Sequence, residues 1–293
     1  MKKFLMILFV AMLSILLVVP AFAEGAHDDK IVLNDSTEIN LKVMDNFKAD
    51  TSVDSMLHAF VDAEAGIDGG SISWKENADG RYLEIITGGG GISAMTYACN
   101  GAGGEWSMFV NSRGEEDYQL NTRTKAYVFK VRTAQAVNFS PEPQLWDGGG
   151  AVQAYLSSTG DPIVLVGADG VPMKAKLVYS GWNRYTIHIP ANFDGYVIVP
   201  TSRFTDDNTE GSTGSWNAGA LAGHGYIWYF PIFVQTCGEY NATLNIDDIY
   251  YVCASDSLPN WGELPTATAD VSVIAYAAAA FTGLGALVIA KKR

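Results

Sequence analysis

Short runs of alternating apolar and polar residues, separated by glycine-rich turns, recur through most of this chain. In the run Lys125–Arg132, the side chains of Tyr127, Phe129 and Val131 alternate with those of the opposite face. A period of two is typical of a β-strand with one buried face. The chain also has 30 glycines and 12% aromatic residues, as an all-β protein with many turns requires. Because no helices alternate with these runs, the pattern favours a sandwich or jelly roll over a βαβ fold.

The N-terminus has the organisation of a secretory signal peptide, which we assign to residues 1–23. Lys2 and Lys3 precede the apolar run Phe4–Val19, and Ala21-Phe22-Ala23 forms a small-x-small cleavage site. An uncleaved membrane anchor is the alternative interpretation. We expect export through the general secretory pathway, with residues 24–42 as an N-terminal spacer or an edge strand.

The C-terminus predicts a membrane anchor at residues 271–290. This uncharged segment has about the 20 residues that a helix needs to cross a bilayer core. Residues 291–293 are Lys-Lys-Arg, a basic tail that stays in the cytoplasm after an apolar span. Residues 255–270 contain Pro259 and Pro265, which predicts a linker between the folded domain and the anchor.

The tail also resembles a Gram-positive cell-wall sorting signal. Leu264-Pro265-Thr266 matches the start of the motif, but Ala267 and Thr268 stand where Thr-Gly is expected. We therefore favour a plain plasma-membrane anchor that holds the protein at the cell surface over covalent wall attachment.

Three segments carry a family resemblance. The strand-like run Thr243–Val252 contains Asn-Ile-Asp-Asp-Ile, and Val43–Phe47 lies about 200 residues earlier. Together with the segment Trp182–Pro200, they resemble galactose-binding-like jelly-roll carbohydrate-binding modules on Gram-positive bacterial surface proteins. The resemblance implies that residues 43–254 form one jelly-roll β-sandwich that binds a polysaccharide or oligosaccharide.

Sugar recognition requires flat apolar faces for the pyranose ring and polar groups for its hydroxyls. Aromatic residues in loops or at strand ends are candidates for the first role, and Trp146 and Trp216 lie in predicted loops. Outward-facing polar residues are candidates for the second. Alternation in the run 184–189 places Ile187 and Ile189 inward and Arg184, Thr186 and His188 outward, and it places Tyr226 and Trp228 on one face of their strand. Packing tryptophans and a merely solvated face are the alternatives. The candidate ligand-binding residues are Trp146, Trp182, Arg184, His188, Trp216, Asn217, Tyr226 and Trp228.

Asp247 and Asp248 are candidate metal ligands, because adjacent carboxylates in an apolar strand repel unless something compensates their charge. Calcium takes oxygen ligands and suits such a pair. The family resemblance implies a structural calcium where the first and last strands meet, which would add Asp45. Carboxylates bonded to backbone amides are the alternative. Of the three cysteines, Cys237 and Cys253 flank the terminal strand and their pairing is left open.

The formal net charge of −13 argues against nucleic-acid binding, because phosphate would be repelled. We therefore predict non-catalytic carbohydrate binding, by aromatic stacking in a groove of the sandwich. One alternative is a structural or adhesive surface protein that binds a protein partner. Another is a glycoside hydrolase or lyase, for which carboxylates such as Glu142 are present but nothing in the sequence pairs them.

Overall fold

The computed structural model describes residues 28–45, 57–58, 71–77, 80–87, 92–98, 124–146, 150–180, 183–216, 219–223, 226–237 and 242–267. The predicted signal peptide, membrane anchor and basic tail lie outside the described residues. Within those ranges, no helix has the length and apolar character needed to span a bilayer.

The described residues form twenty strands and two short 3-10 turns, the turns at Thr201–Arg203 and Ala220–Gly223. The first ten strands are β1 Lys30–Val32, β2 Glu38–Asn40, β3 Lys42–Asp45, β4 Leu57–His58, β5 Ser71–Asn77, β6 Gly80–Ile86, β7 Ile92–Ala98, β8 Thr124–Thr133, β9 Val137–Pro141 and β10 Gln144–Trp146. The second ten are β11 Ala151–Gln153, β12 Tyr155–Leu156, β13 Val164–Gly167, β14 Pro172–Lys174, β15 Lys176–Ser180, β16 Arg184–Ile189, β17 Asp194–Pro200, β18 Phe204–Thr205, β19 Tyr226–Thr236 and β20 Thr243–Cys253.

Two eight-stranded antiparallel sheets contain most of these strands. Sheet 1 has the order β14-β13-β17-β8-β20-β6-β5, with β3 also paired to β20. Sheet 2 has the order β11-β10-β19-β9-β16-β15, with β7 on β19 and β4 on β7. The chain crosses repeatedly from one sheet to the other, for example between β8 and β9 and between β16 and β17. The prediction of an all-β sandwich is confirmed.

The main core lies between the two sheets. Phe129 of β8 and Phe139 of β9 meet edge to face across the interface, with ring centroids 5.1 Å apart. On β16, Ile187 and Ile189 are fully buried, as the alternating pattern predicted. Full burial of one such side chain contributes roughly 1.5–3 kcal/mol, so the many buried side chains of this interface stabilise the fold.

A second core covers the other face of sheet 1. The β1–β2 hairpin packs Ile31 and Ile39 against Val128, Val166 and Tyr250 of that sheet. The N-terminal segment is therefore neither a spacer nor an edge strand over residues 28–41, but a hairpin layered on the sandwich. Burial on both faces also explains the unbroken apolar runs of sheet 1, since such strands have no solvent-facing side.

The segment after β20 is also part of the folded domain. Leu258, Trp261 and Leu264 pack against the second core, and Ala267 is 1% exposed in the first. The backbone of Lys174 donates to Pro265 O at 2.9 Å and accepts from Ala267 N at 2.9 Å. The prediction of a linker is thus wrong over residues 256–267. Its prolines and polar residues had the composition of a linker, but its few apolar side chains are spaced to reach the sheet.

A β-bulge divides the long strand β20. The pairing with β8 shifts between Ile246 and Asp248, which makes Asp247 the extra residue. Leu244 and Ile246 face the main core before the bulge, and Ile249 and Tyr251 face it afterwards. The bulge thereby keeps the apolar residues inside while it accommodates the two adjacent carboxylates.

Candidate functional site

The outer face of sheet 2, which points away from sheet 1, carries polar side chains on its central strands. Arg184, Thr186 and His188 of β16 share this face, as the sequence predicted. Opposite them in register, β9 places Asn138 next to His188, and β19 continues the row with Phe233 and Gln235. Ser140 of β9 pairs with Phe233 on this face, and its side chain and that of Glu142 are buried beneath it.

Arg184 is fixed between a carboxylate and an aromatic ring. Its Nη1 lies 3.3 Å from both carboxylate oxygens of Glu142, and its guanidinium carbon lies 4.0 Å from the centroid of the Phe233 ring. Glu142 also accepts hydrogen bonds from Ser140 Oγ at 3.0 Å and from Gln153 Nε2 at 3.3 Å. The arginine is therefore a pre-positioned donor, which differs from the freely solvated side chain that the sequence allowed.

Glu142 is fully buried, and this burial changes its titration. Desolvation raises the pKa of its carboxyl from 4.5 to about 7, although Arg184, Ser140 and Gln153 each act to lower it. Burial also raises the pKa of the nearby Tyr155, and the charge of Glu142 adds to that effect. The carboxyl therefore exchanges its proton near neutral pH, and with it the charge beside Arg184 changes.

A second cluster on this face joins β9, β16 and the residue that follows β19. Cys237 Sγ donates to Asn138 Oδ1 at 3.2 Å and lies 3.5 Å from His188 Nδ1, which is 3.3 Å from the same oxygen. Burial raises the pKa of the Cys237 thiol, although the charge of Lys176 acts to lower it. Burial and the charge of Lys176 both lower the pKa of the His188 imidazole. At neutral pH the cluster is an uncharged set of hydrogen-bonding groups. Cys237 and Cys253 are both thiols in this structure and are not joined in a disulfide.

Three of the predicted aromatic residues, Trp146, Tyr226 and Trp228, belong to the paired strands β10 and β19 of sheet 2. Trp146, predicted in a loop, is instead the last residue of β10 and pairs with Tyr226 of β19. Trp228 is the extra residue where the β10–β19 register shifts, so the period of two that grouped it with Tyr226 is interrupted. Trp182 and Asn217 fall outside the described residues.

Trp216 belongs to the core. Its side chain is 2% exposed, with its ring centroid 5.5 Å from that of Phe204 and 6.2 Å from that of Tyr127. Its loop turns inward because Ser215 N donates to Phe204 O at 2.8 Å. The prediction of a ligand-contacting loop tryptophan is wrong for this residue, and the packing alternative is correct.

The predicted metal residues lie on sheet 1. Asp248 is opposite Lys130 in register and accepts from Tyr250 Oη at 2.8 Å. Lys130 also forms a 2.8 Å ion pair with Asp28. Burial acts to lower the pKa of Lys130, but Asp28, Asp248 and Asp247 together raise it. A lysine therefore compensates charge that the sequence pattern had assigned to calcium.

The backbone of Asp45 pairs with Ile249, so the entry strand and the last strand do meet as expected. Across the described ranges, no group of three or more His, Cys, Asp or Glu side chains is arranged to hold a metal ion. Calcium binding by Asp45, Asp247 and Asp248 stays a prediction.

A cavity that no sequence pattern indicated lies beside the C-terminal segment. It has a volume of about 360 Å³ and lies where this segment passes the start of β8 and the loop before β13. Because the prolines and polar residues of that segment predicted a linker, Trp261 was not among the candidate ligand-binding residues. The lining residues are Lys125, Asp161, Pro162, Leu258, Pro259, Asn260, Trp261 and Gly262.

Comparison with known proteins finds structural likeness without sequence relatives. No protein-family model and no curated protein matches the chain. Among solved structures, the chain is similar to the family 11 carbohydrate-binding module of a cellulosomal cellulase of Clostridium thermocellum. The identity is 12% and the TM-score 0.39, over 74% of this chain and 97% of that one.

A second match is the family 11 module from Clostridium thermocellum in complex with a β-1,3-1,4-mixed-linked tetrasaccharide. It is 11% identical with a TM-score of 0.35, over 74% of this chain and 97% of that one. An exo-β-agarase also matches at 10% identity and a TM-score of 0.34, over 74% of this chain and 26% of the agarase. Likeness at these values carries no argument about function, which must come from the residues themselves.

Proposed function

We propose that this protein binds carbohydrate without cleaving it, and that the outer face of sheet 2 is the binding surface. The observation that supports this proposal is the arrangement of Arg184 between Glu142 and Phe233. Sugar binding needs planar polar groups beside an apolar ring, and this face has both within 4.0 Å of each other.

The fixed guanidinium suits hydroxyl recognition because little side-chain freedom is lost when a ligand binds. The planar guanidinium presents its N–H donors in a fixed geometry, which suits the recognition of sugar hydroxyls. Further along the same face, Asn138, His188 and Cys237 supply uncharged donors and acceptors. A ligand that crosses from Phe233 to His188 would run across strands β19, β9 and β16, which suits an extended chain of sugars.

Further aromatic and amide side chains contribute to the proposed site. Stacking surfaces come from the four remaining aromatic candidates, Trp146, Trp182, Tyr226 and Trp228, and Asn217 supplies an amide. Trp216 is left out because its ring is buried. We further propose that the protein acts at a bacterial cell surface, exported by residues 1–23 and anchored by residues 271–290.

A glycan array with the purified protein tests this proposal. Plant, host and microbial polysaccharides would be screened with the wild type and with Arg184→Gln, Phe233→Ala and Trp182→Ala variants. Each variant should weaken retention by about tenfold or more, the usual effect of losing an anchor residue. Melting curves would show that the variants are folded.

Arg132→Gln is a matched control, because Arg132 lies over an aromatic ring on sheet 1, 5.6 Å from the centroid of Tyr82. It should bind like the wild type. If no glycan is retained, or if Arg184→Gln and Arg132→Gln behave alike, the outer face of sheet 2 is not a sugar site. Binding of a protein and of no glycan would instead favour the adhesive alternative.

One observation favours a second candidate, a glycoside hydrolase. A carboxyl with a pKa of about 7 is suited to donate a proton to a leaving group near neutral pH, and Glu142 has this property. Release of reducing sugar from a retained glycan, abolished by Glu142→Gln, would support the hydrolase. Retention without release would support the binding protein.

A further inference from the structure

The cavity beside the C-terminal segment combines a rigid wall with the residue types of a small polar ligand site. We propose that it is a second saccharide pocket, which binds one end of a neutral mono- or disaccharide. It lies on the side of sheet 1, and binding there does not require Arg184 or the outer face of sheet 2.

The walls of the cavity are held in place on both sides. Lys125 Nζ donates to Asp256 O at 2.6 Å, which fixes the start of the C-terminal segment to β8. Trp261 is anchored because it packs against the second core, together with its neighbours Leu258 and Leu264. On the opposite wall, Asp161 Oδ2 accepts from Ser202 Oγ at 2.9 Å. The cavity is thus formed before any ligand binds, which lowers the entropy cost of binding.

The lining has apolar and polar parts. The apolar part consists of ring side chains that suit the C–H face of a sugar, those of Trp261, Pro162 and Pro259. Asp161 supplies a carboxylate acceptor and Lys125 an ammonium donor. Hydroxyl groups both donate and accept, so one neutral saccharide can satisfy these two groups of opposite charge, whereas an anion or a cation would be repelled by one of them.

The size of the cavity limits the ligand. About 360 Å³ is near the lower end of the ~300–1,000 Å³ range of small-molecule sites. An extended polysaccharide could not lie within it. A terminal sugar or a disaccharide is the ligand class that agrees with both the volume and the polar groups.

Saturation-transfer NMR with the full-length protein tests the pocket. The probes are glucose, galactose, mannose, N-acetylglucosamine, cellobiose and lactose, each tested separately. At least one should receive saturation from the wild type, and the affinity for it should fall about tenfold or more in Trp261→Ala and in Asn260→Ala. Because Trp261 also packs on the sheet, Asn260→Ala and Lys125→Met keep the test valid if Trp261→Ala does not fold.

Arg184→Gln is the matched control and should leave this binding unchanged. The pocket is refuted if none of the probes receives saturation. It is also refuted if Asn260→Ala and Lys125→Met bind like the wild type, or if binding is lost in Arg184→Gln alone. The two proposals fail separately, because polysaccharide retention on the array depends on Arg184 and the small-saccharide signal depends on Asn260.

Discussion

Arg184 Nη1 lies 3.3 Å from a carboxylate oxygen of Glu142, whose side chain is completely buried while that of the arginine is 20% exposed. This pair places an ionisable group at the centre of the candidate binding face. Removing one partner of such a buried pair destabilises the folded protein, because the remaining charge is buried without compensation. Its behaviour with pH follows directly from the burial.

The stability of the protein should fall as the pH rises from about 4.5 to about 7, in part because of Glu142. Below pH 4.5 its carboxyl is protonated in both the folded and unfolded states. Between these values the unfolded state loses the proton while the folded state keeps it, since burial raises the pKa from 4.5 to about 7. At about 1.4 kcal/mol per pKa unit, the loss is about 3 kcal/mol.

Urea unfolding of the wild type and Glu142→Gln across this pH range measures the effect. The wild type should lose about 3 kcal/mol more than the variant between pH 4.5 and 7, because glutamine cannot ionise. Equal slopes for the two proteins would show that the carboxyl ionises in the folded state as it does in water.

Replacing Trp216 should reduce stability and leave sugar contacts in place. Trp216→Ala removes a fully buried ring that touches Phe204 and Tyr127, which typically costs about 3–5 kcal/mol. Trp216→Phe keeps most of the packing and should retain glycans like the wild type. A folded Trp216→Phe protein that no longer binds would restore this residue as a ligand contact.

The C-terminal segment should contribute measurably to stability. A version of the protein that ends at Asn260 lacks Trp261, Leu264 and the two hydrogen bonds to Lys174. We expect its free energy of unfolding to be about 2–4 kcal/mol lower than that of a version ending at Ala267. Both versions would start at Glu24 and be compared in urea. Identical midpoints would restore the linker interpretation.

Calcium should raise the melting temperature if Asp45, Asp247 and Asp248 bind it. A ligand that binds only the folded state, at 100 times its dissociation constant, adds about 2.7 kcal/mol. Melting would be followed in calcium and in chelator, with Asp45→Asn as the test variant. The exposed Glu263 provides a control through Glu263→Gln. A melting temperature that is the same in calcium and in chelator would contradict calcium binding, and Lys130 would then be the cation that compensates these carboxylates.

The sequence predicted the strands more reliably than it predicted what covers them. Alternation correctly gave the inward positions of Ile187 and Ile189, because the main core requires a period of two. The alternation does not continue through Trp228 or Asp247, where one extra residue in the strand interrupts it. Bulges depend on the register between two strands, which the pattern of one strand does not contain.

Contacts between segments that are distant in the chain could not be predicted from the sequence pattern either. Asn138 and His188 are 50 residues apart, and nothing near either one indicates that β9 and β16 pair. The partner of Arg184 was missed for the same reason, since Glu142 is 42 residues away in the chain. The hairpin at residues 28–41 was predicted only as a spacer or an edge strand, because two three-residue strands are too short to show a clear alternating pattern.

Both ends of the described chain are attached to sheet 1. Asp28 bonds to Lys130 and Tyr196 there, and the backbone of Ala267 bonds to Lys174 on β14. Arg184 belongs to the opposite sheet. If the protein is immobilised on a sensor chip through either end, a long polymer should therefore still reach Arg184 unhindered, and the two orientations should give the same response.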